Sequence, residues 1–221
     1  MPNWCNNHVV ISHEDPAKIR ALADAYNRQE FCNHVIPTPK ELTETVSGCV
    51  GKDQEDAHKA QIESNLKKYG HADWYSFQTS NWGTKWDCGG DGCDADVTED
   101  GCTMSAGFDS AWSPPIGVYE ALIEQGFKVE AMYYEPGMGY AGIFNENGDD
   151  YYELGDLDSK AVADTINSEL DEMFGISETM AEYEEEERLN EELYAFVKEG
   201  AEKRKDIGLV GDYDPHNTVN S

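Results

Sequence analysis

The chain has 221 residues, enough for one compact domain with an appendage. Its formal charge of −29, from 45 acidic against 16 basic side chains, works against ordinary binding of nucleic acid or of an anionic membrane, because both repel it at long range. Cationic companions remain, either divalent metal ions or the basic groove of a nucleic-acid-binding protein, and solubility alone also accounts for such a surplus.

Taken in order, His8-Val9-Val10-Ile11-Ser12 predicts a first strand, short and β-branched. Asp15 and Pro16 then suit the cap and first position of a helix whose Ile19, Leu22, Ala23 and Tyr26 share a face. Phe31 to Pro39 reads as extended, with two prolines that exclude a central strand. Residues 41–70 form a polar insertion, with a helix over Ala57 to Tyr69 that would turn Ile62 and Leu66 inward.

Asn81-Trp82-Gly83-Thr84-Lys85-Trp86-Asp87 is the most information-dense stretch, with Trp74 and Phe77 just upstream. Gly83 and the glycines after Cys88 argue against a stable helix, so a short strand or tight turn is expected there. Asp94 to Thr98 and Thr103 to Asp109 predict a hairpin about Asp100-Gly101. A helix from Ile116 to Gln125 follows, with Val118, Leu122 and Ile123 as its apolar face and Gly126 as its stop. Strands are expected over Phe127 to Tyr134, Tyr140 to Asn145 and Tyr151 to Leu154. The order β-α-β-β-α-β plus a hairpin predicts an α+β fold: a ferredoxin-like antiparallel sheet with two packed helices, over residues 1–155.

Residues 156–206 read as an acidic helical C-terminal extension, and 207–221 as a flexible tail. One helix is expected from Ser159 to Met173, with Val162, Ile166 and Leu170 at helical spacing. A longer one runs from Ser177 to about Arg204 and carries an apolar stripe of Leu189, Leu193, Phe196 and Val197. No apolar run is long enough to span a membrane, and the opening residues lack the pattern of a signal peptide, so a cytoplasmic protein with reduced thiols is expected.

Candidate sites follow from side-chain chemistry. Glu182, Glu184, Glu185, Glu186, Glu187, Glu191 and Glu192 line several turns of the long helix, where spaced carboxylates imitate a phosphate ladder toward a basic protein; a solvated helix face is the simpler reading. Lys85 and Asp87 would share a strand face as an ion pair, and Asp109 and Glu135 could meet across the sheet. Trp82, Trp86, Phe108 and Tyr133 could stack single-stranded RNA on an open sheet face, or simply fill the core. His8, His13, His34, His58, His71 and His216 are scattered and fall in no catalytic motif. Cys88, Cys93 and Cys102 lack the paired spacing of a zinc site, and Asp91, Asp94 and Asp96 lack that of a calcium loop. Gly89-Gly90 and Gly137-x-Gly139 lack the context of a phosphate cradle, so neither cofactor nor metal is expected.

Met1-Pro2-Asn3-Trp4-Cys5-Asn6-Asn7, the heptad at 81–87, Phe108-Asp109-Ser110-Ala111-Trp112-Ser113-Pro114-Pro115 and Tyr134-Glu135-Pro136-Gly137 together resemble the YubB-like group of phage- and plasmid-encoded proteins. The resemblance spans residues 1–155, and the heptad is its most specific part. It implies a ferredoxin-like domain and a mobile-element protein in a bacterial cytoplasm, and supplies no catalytic residues. The combined expectation is a non-enzymatic, acidic bacteriophage accessory protein that binds a basic host or phage protein, inhibition of a host defence or DNA-processing protein being one version. The rivals are a nucleic-acid module built on the heptad and a small metal-dependent enzyme.

Overall fold

The computed structural model describes residues 3–90 and 93–206. Met1, Pro2, Asp91, Gly92 and the stretch from Ile207 to Ser221, with His216, lie outside the described residues. The chain divides into two compact units, Met1–Asp156 and Leu157–Ser221.

The first unit opens with β1 (Trp4–Ser12), in which Cys5, Asn7, Val9 and Ile11 point to the core and the residues between them do not. Helix α1 (Pro16–Asn27) starts as its sequence predicts: the Asp15 carboxylate accepts from the Ala17 amide, and Ile19, Leu22, Ala23 and Tyr26 are buried. Residues 31–39 depart from prediction. Phe31–Val35 is a short helix, α2, because the Asp87 side chain receives the Cys32 and Asn33 amides at 2.7 and 3.1 Å. The two prolines fall beyond its end.

The insertion contains α3 (Lys40–Thr43) and α4 (Glu55–Tyr69). The expectation that Leu66 of α4 faces inward fails: Leu66 is exposed, Ile62 is half-buried and Asn65 is buried instead. The Asn65 amide donates to Thr45 Oγ1 at 2.9 Å and to the Ala72 carbonyl at 2.8 Å, and its oxygen accepts from Gln61. A satisfied polar network thus sets which face of α4 is covered. Helix α5 (Trp74–Asn81) begins with a reciprocal cap between Asp73 and Ser76.

Then come β2 (Asp96–Val97), β3 (Thr103–Ala111), α6 (Ile116–Glu124), β4 (Lys128–Glu135), β5 (Tyr140–Asn145) and β6 (Gly148–Glu153). The six strands form one antiparallel sheet in the order β2-β3-β1-β4-β5-β6. Its core face meets α1, α2 and α6: Val9, Ile11, Met104, Phe108, Val129, Ala131 and Phe144 pack with Leu22, Tyr26, Phe31, Tyr119 and Leu122. The fold is α+β, with its apolar mass on one face of the sheet.

The second unit holds α7 (Ser159–Thr165), α8 (Ser168–Phe174) and α9 (Ile176–Asp206). The single helix predicted over Ser159 to Met173 is broken. Asn167 leaves the helical region and its side chain caps α8 by accepting from the Glu169 and Leu170 amides. Val162, Ile166 and Leu170 are nevertheless all buried. Leu189, Leu193, Phe196 and Val197 of α9 are exposed. Among the described residues, no helix is long and apolar enough to cross a membrane.

Candidate functional site

The heptad is neither a strand nor a compact turn but the exit of α5. Asn81 ends the helix, its amide turned back to the Phe77 carbonyl at 2.8 Å. Trp82 caps the helix and enters the core at 1% exposure, its indole N–H donating to the Ile36 carbonyl at 2.9 Å. The start of α6 lies directly against this exit. A Cβ on Gly117 would sit 2.1 Å from the Asn81 carbonyl oxygen, so only glycine permits the approach. Thr84, also buried, donates to the Ala111 carbonyl at 3.0 Å, and Ser113 donates to the Gly83 carbonyl. The chain is thereby stitched to the end of β3.

Trp82 and Trp86 therefore part company. Trp86 is 39% exposed and lies 6.0 Å from Trp4, ring to ring. Lys85 does not pair with Asp87, as a shared strand face would require. Its ammonium stands 4.4 Å from the Trp86 ring, 5.0 Å from Trp112 and 5.8 Å from Tyr75. Trp112 adopts φ = +70°, a left-handed backbone that a bulky residue rarely takes. Two hydrogen bonds hold it there, from its own amide to the Asn3 carbonyl and from the Tyr140 hydroxyl to its carbonyl. The result is a surface patch in which three rings, Tyr75, Trp86 and Trp112, stand around one ammonium and Trp4 lies beside Trp86.

Asp87 faces inward. It accepts from the Cys32, Asn33 and Cys88 amides, and burial raises its pKa against the opposing pull of those donors. Beside it opens a cleft of about 270 Å³ lined by Trp4, Trp86, Asp87, Phe108 and Asp109, among others. A Cβ on Gly89, which has φ = +114°, would meet the Tyr26 carbonyl oxygen at 2.5 Å, so glycine here lets the cleft wall close on the end of α1.

The other expected constellations separate. Asp109 lies opposite Asn6, whose amide donates to it at 2.6 Å, whereas Glu135 is buried and accepts from the Gly137 and Met138 amides in the turn after β4. Strand alternation puts the two carboxylates on opposite faces of the sheet, so they do not meet. Phe108 and Tyr133 are buried, which leaves Trp86 as the one ring of the proposed stacking set that reaches solvent. Cys88 is buried and Cys93 exposed, and among the described residues no three His, Cys, Asp or Glu side chains gather into a metal-holding group.

On α9 the seven glutamates are not equivalent. Glu184 accepts from the Ser159 amide and hydroxyl, both at 2.7 Å, and so ties α9 to the first turn of α7. Glu185 and Glu192 are paired with Arg188. Glu182, Glu186, Glu187 and Glu191 make no hydrogen bond or ion pair among the described residues. Glu187 and Glu191 share a helical face with exposed Tyr183 and Tyr194, and Glu186 borders it.

Sequence reading missed Trp4, Tyr75 and Trp112 as partners of the heptad. Tyr75 lies 6, Trp112 25 and Trp4 77 residues from its nearer end in sequence, and the β1–β3 register, with Trp4 opposite Ala111, brings Trp4 beside Trp112. No protein-family model matches the chain, and no curated protein matches it either. Among solved structures it is similar to the crystal structure of api92 from Yersinia pseudotuberculosis, a protein of the DUF1281 family, at 10% identity and a TM-score of 0.38, over 71% of this chain and all of that one. That likeness is too distant to assign a family or an activity.

Proposed function

We propose that this is a non-enzymatic acidic accessory protein that binds a basic protein through α9. The observation that carries the reading is the exposed face on which unengaged Glu187 and Glu191 flank Tyr183 and Tyr194, with Glu186 at its edge. Tyrosine supplies rigid contact area at an interface, and carboxylates around it select and steer a cationic surface. The charge of −29 acts in the same direction at longer range.

The resemblance to the YubB-like group supports a bacteriophage or plasmid origin and a bacterial cytoplasmic setting. A ferredoxin-like first unit is supported by the order β2-β3-β1-β4, with α1 and α6 in the two crossovers, to which β5 and β6 add a hairpin. The partner would be a host or phage protein with a basic surface, a host defence or DNA-processing protein being the version that an acidic mimic of phosphate serves best.

Affinity capture from bacterial lysate at low salt tests this. A captured basic protein should be lost when Glu186, Glu187 and Glu191 become Gln and retained when only Glu185 and Glu192 do. Capture of nothing, or capture indifferent to the first set, overturns the reading. A nucleic-acid module remains as a second reading, favoured by Lys85 standing among Tyr75, Trp86 and Trp112. Salt-resistant filter binding of single-stranded RNA or DNA would establish it in place of the first.

A further inference from the structure

We infer that the cleft between Trp4 and Trp86 is a binding site for the head of an organic ammonium ion. It lies wholly within the first unit, and the inference does not rest on α9. Three observations meet there.

The walls are the two indoles, Trp4 and Trp86, with centroids 6.0 Å apart and planes tilted by 43°. Tilted this far, the two indoles do not close on each other as a parallel stack. The lining carries two carboxylates, Asp109 and Asp87, and among the described residues it includes no lysine, arginine or histidine. Asp87 is occupied by the α2 amides, while Asp109 is exposed and, among the described residues, its carboxylate is bonded to the neutral Asn6 amide and to no cation. A cavity of about 270 Å³ has room for an ammonium or trimethylammonium head.

The protein also supplies an internal precedent. Lys85 places its own ammonium 4.4 Å from the Trp86 ring and 5.0 Å from Trp112, with no carboxylate partner among the described residues. The rings themselves therefore hold a cation at this surface. Aromatic faces attract ammonium groups through the ring quadrupole, and a nearby carboxylate reinforces them. An apolar guest would gain nothing from Asp109, a neutral sugar would gain hydrogen bonds but no charge attraction, and an anionic guest would be repelled by it. The guest could be a free quaternary ammonium compound or the lysine side chain of a polypeptide; the chemistry of the head is the same.

The test follows the indole N–H signals of Trp4 and Trp86 by NMR in the intact protein. Three probes are titrated: choline, its neutral isostere 3,3-dimethylbutan-1-ol, and the N-acetyl methylamide of lysine. Choline or the lysine derivative should shift both signals saturably while buried Trp82 stays fixed, and the isostere should be at least several-fold weaker. Tighter binding of choline assigns the site to a small molecule, and tighter binding of the lysine derivative to a polypeptide. Asp109→Asn should weaken the preferred cation about 5-fold, the factor expected of one partly exposed charge contact. Trp86→Leu should abolish the shift at Trp4. Equal response to the isostere, an unsaturable response to both cations, or full affinity in Asp109→Asn would each overturn the proposal. Asp109→Asn removes no packing contact, so its result stands even where Trp86→Leu fails to fold.

Discussion

The heptad of the first unit and α9 of the second contain similar side chains, aromatic and charged, and treat them differently. Around the heptad the exposed rings of Trp86 and Trp112 are held through hydrogen bonds to other elements. Trp86 follows Thr84, which is anchored to Ala111, and Trp112 is locked by Asn3 and Tyr140. On α9 the rings and carboxylates stand out from one helix, and among the described residues Glu184 is the one glutamate of the helix that bonds to another element. A site with the first construction is preorganised and suits a small guest. A face with the second keeps its side-chain freedom until a partner orders it, and so needs a large partner to offset that loss.

The contrast is sharpest between Trp82 and Trp86, four residues apart. Trp82→Ala should cost about 3–5 kcal/mol, because it empties a core site and orphans the Ile36 carbonyl, whereas Trp86→Ala should cost less than about 1 kcal/mol. Denaturant midpoints of the two variants measure the difference, and similar midpoints would mean that the patch belongs to the core after all. In the second unit Leu170 and Leu193 repeat the experiment. Leu170→Ala should lose about 2–5 kcal/mol and Leu193→Ala stay within about 0.5 kcal/mol, read by the loss of helical circular dichroism.

Much of the first unit is legible because its signals are local. Asp15-Pro16, the apolar spacing of α1 and the Asp100-Gly101 turn each specify their element without distant help. The failures have a common cause in side chains acting across the chain. Asp87 makes a helix of Phe31–Val35 from 54 and 55 residues away, and Asn65 turns α4 by bonding Thr45 and Ala72. Asn167 splits the helix predicted over Ser159 to Met173 through a local cap that apolar periodicity hides. The ring patch was half legible: the heptad marks Lys85 and Trp86, but nothing short of the β1–β3 register announces Trp4 and Trp112 as neighbours.

Asp87 offers a middle-sized test. Asp87→Asn retains one acceptor oxygen and sets an amide group against one of the two α2 amides, so about 1–3 kcal/mol should be lost, with fraying of α2 visible by hydrogen exchange. Alkaline pH probes the same unit without mutation. Burial raises the Cys5 thiol from 9.0 to about 12. The folded state therefore holds this proton more tightly than the unfolded state, and the associated stability is intact below pH 9 and is lost as pH rises toward 12. Burial also raises Tyr119, Tyr133 and Tyr140, which extends the loss to higher pH. Unfolding midpoints measured against pH should fall above pH 9, and Cys5→Ala should flatten the first part of that fall.

The smallest structural effect should come from Arg188→Gln, and it bears most directly on α9. Arg188 binds Glu185 at 2.7 Å and Glu192 at 2.5 Å, all three side chains being largely in water. Such pairs contribute little to folding, so the unfolding midpoint and helix content should not change measurably. The substitution does release two carboxylates and makes α9 one unit more negative. A cationic probe such as oligolysine should then bind more tightly than to the unaltered protein, with a steeper dependence on salt. A fall in helix content instead would show that Glu185 and Glu192 are engaged in holding α9 together, which would leave Glu186, Glu187 and Glu191 as the surface for a basic partner.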